Sequence, residues 1–347
     1  VPDAVSPEQW LAKKLDTGSK VGFDSQTLTV AGYRSLNNSL KKKGIDLVQT
    51  PDLFEKIWEN RPEIPNDEIF ELDTKYAGLS RKEKREQVTA KLKDLGADFQ
   101  VVTALDELAW IFNLRGSDIA YNPVSTGYGI VGKNESVLFM DQAKIPNKLK
   151  SRLEKERVEI LDYNKFWQWL KSTKNRNILI DPASANYAVR EMLQADNSLK
   201  EETSVISLLK VQKNKTELDG FREAMKKDGV ALVEVLFWLK NNVGKEEITE
   251  YSVVRKLTES RQKQPGFQGE SFPSIVGYKE HGAIVHLNVG EDDALPLGAF
   301  AGFSSTIATH SSCPSGTFAS RTCLRSGLRP SGSTGTYKCW PSDSTHF

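Results

Sequence analysis

The sequence predicts a mixed α/β fold, grading into α+β, spread over more than one domain. Three observations carry that reading. At 347 residues, 38% of them hydrophobic, the chain can bury a sizeable core and is long enough to divide. Strand and helix signals alternate from about residue 68 to residue 209, the pattern of a mixed sheet covered by helices. Beyond residue 210 the alternation gives way to long helical periodicity.

The elements follow in order. Ser6, Pro7 and Gln9 suit the N-cap, N1 and N3 positions of a helix to about Leu15, because Ser6 can accept backbone N–H bonds and Pro7 has none to lose. A strand at 21–23, a helix to Lys43 and a strand at 45–48 close a first α/β unit, residues 1–50, read as the C-terminal remnant of a longer domain. Residues 51–67 form a linker, since Pro62 and Pro65 bias their predecessors away from helix.

The second unit, 68–210, is better punctuated. Ser80 and Glu83 have capping-box spacing, Val88 and Leu92 share a helix face, and Gly96 suits the left-handed position after the helix. Short strands are expected at 99–102, 129–131, 137–140, 158–161 and 178–181, with helices between them and one capped by Thr103 and Asp106. Trp58, Trp110, Trp167 and Trp238 sit in apolar, helix-like surroundings and read as core.

In the third unit, 211–295, a long helix begins near Thr216 and Asp219 and carries Leu218, Phe221, Met225, Leu232, Val235, Leu236 and Leu239. A second, capped near Thr249, carries Val253, Val254 and Leu257. Strands are expected at 274–276 and 283–287. From about Pro296 to residue 347 serine, threonine and glycine supply about half of the stretch and Asp343 is its one acidic residue. Such a stretch predicts disorder. A reading-frame shift, a retained intron or a mispredicted exon would produce so abrupt a change.

Several function classes are excluded. The formal charge of +1 offers no field for nucleic acid or an anionic membrane, and no run approaches the roughly 18 apolar residues of a spanning helix. Cys313, Cys323 and Cys339 all lie late, so the cysteine-free body predicts a reducing, cytoplasmic setting. The start at Val1, with no signal-like segment after it, predicts a missing N-terminus.

Four ordered segments resemble one family. TALDELAWIFNLRGSDIAYNPV at 103–124 and FQGESFPSIVGYKEHGAIVH at 267–286 are similar to segments of Xaa-Pro aminopeptidases, members of the creatinase or pita-bread metallopeptidases. The linker DLFEKIWENRPEIP and the helix KNKTELDGFREAMKKDGVAL are similar as well. The resemblance implies a creatinase-like middle domain at 68–210, the start of a pita-bread domain at 211–295, and a chain incomplete at both ends. It implies removal of the residue before a penultimate proline, proline-containing peptides as partners, a homodimer, and two manganese ions held by aspartates, glutamates and a histidine.

His286 matches the family histidine that contacts substrate and shuttles protons, a role suited to imidazole. His281 is a second, substrate-side candidate, at a position where the family commonly has asparagine. Arg115 and Asp118 read as residues that hold a loop. Hard cations need converging charged oxygens, and the family's ligand aspartates have no match here: Glu291, Asp292 and Asp293 read as a solvated loop. His310, Cys313, Cys323, Cys339 and His346 lack the spacing of a zinc site. The expectation is therefore an Xaa-Pro aminopeptidase by descent whose own chain binds no metal tightly and is inactive. The alternatives are a non-catalytic binding or dimerisation module, and a creatinase- or prolidase-like hydrolase.

Overall fold

A short sequence signal starts most of the helices, and packing completes them. The structure, a computed structural model, describes residues 5–284, 287–298, 303–313 and 316–326, the last two as backbone alone. The chain divides into two compact units, one holding Val1–Glu223 and the other beginning at Ala224.

In the first unit, α1 (Pro7–Lys14) opens with the expected capping box between Ser6 and Gln9. β1 (Lys20–Phe23), α2 (Val30–Lys41) and β2 (Asp46–Gln49) follow, with β1 and β2 paired in parallel. The linker carries one 3-10 turn at Phe54–Lys56. Leu53, Phe54, Ile57 and Trp58 are exposed along it. Trp58 is thus not core: no apolar element covers the extended linker, and the ring instead meets the Arg61 guanidinium at 5.7 Å.

The six-stranded sheet is built from β4 (Phe99–Val102), β6 (Tyr128–Gly132), β7 (Ser136–Phe139), β8 (Glu159–Leu161), β9 (Asn177–Ile180) and β10 (Ser198–Glu201), numbered to leave β3 (Phe70–Glu71) and β5 (Leu114–Arg115) as a separate antiparallel pair. Its order is β10-β9-β4-β6-β7-β8, with β6 antiparallel to both neighbours and the other pairings parallel. The expected mixed sheet is present. Its side chains alternate with period two. Phe99, Val101, Ile130, Val137, Phe139, Ile178 and Ile180 join the core on one face, and Val102, Val131, Leu138 and Leu179 that on the other.

Helices cover both faces. The short α3 (Thr74–Ala77) precedes α4 (Arg81–Asp94), and α4, α5 (Leu105–Ile111), α6 (Asn147–Lys155) and α9 (Val205–Val211) supply the second core. α7 (Lys165–Ser172) and α8 (Tyr187–Gln194) supply the first through Phe166, Leu170, Val189 and Leu193. Each such buried side chain contributes about 1.5–3 kcal/mol.

The Ser80–Glu83 box and the left-handed Gly96 stand as expected. The cap of α5 does not. Ala104 occupies its N-cap without a side-chain bond, while the Thr103 hydroxyl donates to Ser184 Oγ, 81 residues away.

The long helix α10 (Lys215–Asn242) starts before Thr216 because Asn214 and Glu217 already make a reciprocal pair: each backbone N–H donates to the other's side chain at 2.9 Å. In the second unit α11 (Glu250–Gln262) is capped by Thr249. Val235, Leu239, Ile248, Val253, Leu257, Val276, Tyr278 and Leu297 form its core. Arg261 ties this core internally, donating to Asp228 and Glu270 at 2.7 Å each.

A 3-10 turn at Lys279–Ala283 replaces the beginning of the strand expected at 283–287. Apolar alternation specifies a strand only when a neighbouring strand takes up its backbone bonds. In the stretch read as disordered, β11 (Phe303–Cys313) and β12 (Gly316–Ser326) pair as two strands, and residues 327–347 lie outside the described residues.

Candidate functional site

Two polar clusters of the described residues bear on function. The first lies in the 103–124 segment of unit one. Arg115 is 7% exposed and donates through Nη1 to the carbonyls of Ala109 and Leu114 at 3.0 and 2.7 Å, so it braces the turn after α5. Asp118 pairs with Lys144, both side chains almost fully buried. Asp118 Oδ2 also accepts from Ser125 Oγ at 3.0 Å and from the Thr126 N–H at 2.6 Å, while Oδ1 is buried without a partner. Desolvation raises the Asp118 carboxyl, but the bonds from Lys144 and Thr126 outweigh it and hold the group below its ordinary value. Lys144 Nζ donates further to Pro65 O at 3.0 Å, tying the loop to the linker. The cluster holds a loop, as read from Arg115 and Asp118. Sequence reasoning missed Lys144, because its partners lie 26 and 79 residues away.

The second cluster lies in unit two. Thr249 caps α11, which places Glu250 at the first helical position, fully buried. Glu250 Oε1 accepts the Tyr278 N–H at 2.5 Å, and Oε2 accepts the Leu295 N–H at 2.9 Å. His281 Nδ1 lies 2.8 Å from the same Oε2, its side chain 22% exposed. One carboxylate thus gathers the start of a helix, the 278–281 turn and the Leu295 backbone. His281 is brought into this cluster; His286 lies outside the described residues. Glu250 was missed, because an acidic residue at a helix start reads equally well as a partner of the helix dipole.

The described residues do not fit a dinuclear metal centre. Among them no group of three or more His, Cys, Asp and Glu side chains could hold an ion. Glu291, Asp292 and Asp293 are exposed in a turn. Glu291 lines a cleft of about 370 Å³ in which Arg255 and Lys256 stand among the carboxylates, and cations there oppose a metal. The side chains of His310, Cys313 and Cys323, and Cys339 and His346 altogether, lie outside the described residues. Among the described residues no helix is long and apolar enough to cross a membrane.

Comparison with known proteins adds a second line. Residues 60–217 match the creatinase/prolidase N-terminal domain and residues 219–310 match metallopeptidase family M24. Xaa-Pro aminopeptidase 1 of Dictyostelium discoideum is 35% identical over 299 residues, covering 82% of this chain and 47% of that protein. Xaa-Pro aminopeptidase app-1 of Caenorhabditis elegans is 31% identical over 294 residues, covering 82% and 48%. The chain therefore spans about half the length of the curated relatives it matches.

Among solved structures, an X-prolyl aminopeptidase from Caenorhabditis elegans, described as a cytosolic enzyme with a di-nuclear active site, superposes with a TM-score of 0.84 at 27% identity, covering 95% of this chain and 55% of that one. Prolidase from Pyrococcus furiosus, at 16% identity and a TM-score of 0.50 over 70% of this chain and 66% of its own, shares the fold alone.

Proposed function

The chain belongs to the Xaa-Pro aminopeptidases of the creatinase and M24 metallopeptidase family, and from that premise we propose that its activity by descent is cleavage of the bond before a penultimate proline in peptides. The observation that carries this reading is the 0.84 TM-score superposition on an X-prolyl aminopeptidase over nearly the whole chain. Residues 68–210 act as the second creatinase-like domain and residues 211–295 as the opening of the metallopeptidase domain. The setting is the cytosol, the compartment stated for the Caenorhabditis elegans enzyme.

The finer proposal concerns this polypeptide itself. Manganese, two ions in the family, is the metal the reaction calls for, and a pair of divalent ions requires several converging charged oxygens. No such set stands among the described residues, and the sequence after Asp293 offers one acidic residue, Asp343. Alone, the polypeptide is inactive. We place His286 and His281 on the substrate side, His286 as proton shuttle. The test is release of the amino-terminal residue from an X-Pro peptide by the purified polypeptide in manganese. No turnover above buffer is expected, and turnover abolished by a chelator would refute inactivity. A full-length relative assayed in parallel, if it cleaves bonds elsewhere than before proline, would refute the reaction class instead.

A further inference from the structure

The first turn of α9 is held by side chains from β4, α5 and the residue after β9, and the hydrogens between β4, α5 and α9 can run only one way. The Val205 N–H, an obligate donor, reaches Gln100 Oε1 on β4 at 3.1 Å, which orients the amide so that Nε2 donates to Ser204 Oγ at 2.6 Å. The Ser207 N–H donates to the same hydroxyl oxygen at 3.1 Å. Both lone pairs of Ser204 Oγ are then taken, so its single proton goes to Glu107 Oε2 on α5, 2.6 Å away. All three side chains are buried. A chain of donors thus starts at a helix backbone and ends on a buried carboxyl.

Among the described residues no cation bonds to that carboxyl. On the elements packed against α5, Lys210 of α9 pairs with Asp106, and Arg115 of β5 donates to the Ala109 and Leu114 carbonyls. On α4, Lys84 donates to Trp110 O and Asn113 Oδ1, and Arg81 pairs with Glu71 and Glu156. β4 brings no ionisable side chain, and β6 brings Tyr128, whose hydroxyl lies 3.4 Å from that of Tyr163. The charge that does bear on Glu107 is of like sign: Asp181, whose Oδ2 accepts the Ser204 N–H at 2.8 Å. Desolvation raises the Glu107 carboxyl to about 7, the Ser204 bond opposes the rise, and Asp181 adds to it.

We propose that Glu107 is a proton-dependent latch on α9. Protonated, it carries its hydrogen on Oε1, because Oε2 already accepts, and α9 stays seated. Ionised, it leaves an uncompensated charge beside Asp181, and the first turn of α9 lifts so that water can reach it. Val205 and Ile206, 3% and 0% exposed, oppose that opening, so the lifted form is a minor population that pH enlarges. Between 4.5, the ordinary value, and about 7 the seated form holds a proton that the lifted form has shed. The lifted population therefore rises with pH through that window, by at most about tenfold per unit, and levels off above it.

The experiment is hydrogen exchange of the full chain from about pH 5 to 8, each rate divided by the intrinsic rate at that pH. The Ser207 and Leu208 amides, which donate to Ser204 Oγ and to the Ser204 carbonyl, report the latch. Their corrected exchange is expected to be faster than that of the β4 amides, to rise with pH to about 7 and then to level. In Glu107→Gln, which keeps an acceptor for Ser204 and cannot ionise, it is expected to be level throughout.

The same rise in Glu107→Gln would overturn the proposal. So would corrected exchange independent of pH in the unmodified chain. Equal protection of α9 and β4 at every pH would overturn it too, since only global unfolding would then expose the carboxyl. The last two outcomes are read on the unmodified chain and decide the matter even if the variant does not fold.

Discussion

Lys84 and Glu107 place ionisable groups inside the first unit, and burial sets their chemistry. Lys84 is 1% exposed. Its Nζ donates to Trp110 O at 2.9 Å and to Asn113 Oδ1 at 2.5 Å and stands 4.4 Å from the centroid of the Trp110 ring. Desolvation first, then the nearby Arg115 charge, pulls the ammonium from 10.5 to about 7. Glu107, 5% exposed, accepts from Ser204 Oγ at 2.6 Å, and desolvation pushes its carboxyl from 4.5 to about 7 against that bond. Between about 7 and 10.5 the unfolded chain holds a proton that folded Lys84 sheds, so stability rises with pH there and is lost again as pH falls toward 7. Between 4.5 and about 7 folded Glu107 keeps a proton that the unfolded chain has lost, so stability falls as pH rises. These two groups therefore make a trough near pH 7, and the Lys84 arm alone is on the order of 5 kcal/mol deep. Urea midpoints measured from pH 4.5 to 10.5 should show the acid arm flattened in Glu107→Gln and the alkaline arm flattened in Lys84→Met. Arms that survive both substitutions would mean that other groups set the profile.

At the scale of elements, two glycines separate packing from propensity. A Cβ on Gly132, at the end of β6, would lie 2.6 Å from the Asp98 carbonyl oxygen, and Asp98 is itself fixed by its N–H bond to Asn177 O at 2.7 Å. Gly229 lies exposed within α10 with nothing within 4 Å of such an atom. Gly132→Ala is accordingly expected to cost about 1–3 kcal/mol and Gly229→Ala to add about 0.5–1 kcal/mol, read as opposite shifts of the thermal midpoint. Shifts of the same sign would show that close approach at β6 is not what requires the glycine. The same contrast explains what could be read in advance. The caps at Ser6 and Ser80 and the alternation along β4, β6, β7 and β9 depend on neighbours in the sequence, and each was legible. β3 and β5 are two residues long and leave no periodicity to find. The partners of Glu250 lie 28, 31 and 45 residues away, so that cluster could not be read from spacing.

At the scale of the whole molecule, the distribution of cores decides which part can stand by itself. Every buried residue of the two clusters that sandwich the six-stranded sheet lies between Ile69 and Ile206. The 1–50 region meets this part through backbone bonds such as Val30 N–H to Ala185 O at 2.9 Å and Ala31 N–H to Pro182 O at 2.9 Å, and through the Tyr187 ring, whose centroid lies 4.1 Å from that of Tyr33 and 5.6 Å from that of Phe23. Removing that region would free the Ala185 and Pro182 carbonyls and the Tyr187 and Ala188 N–H groups, which donate to Leu28 O and Ser25 O, and water can serve both kinds in place of the lost partners. The linker contributes exposed apolar residues and accepts one bond from Lys144 at Pro65 O and one from Ser117 at Asp67, so it adds little to either core. A fragment of residues 60–212, ending just after α9, is therefore expected to fold alone with both clusters intact. Its urea unfolding should be a single transition, coincident by tryptophan fluorescence and far-ultraviolet circular dichroism. Trp110, buried on α5 with Lys84 Nζ 4.4 Å from its ring centroid, reports the second cluster, and the helices report both. Loss of the fluorescence change with helicity retained would place the stabilising contacts outside the sandwich, and independence of the 60–212 domain would then be wrong.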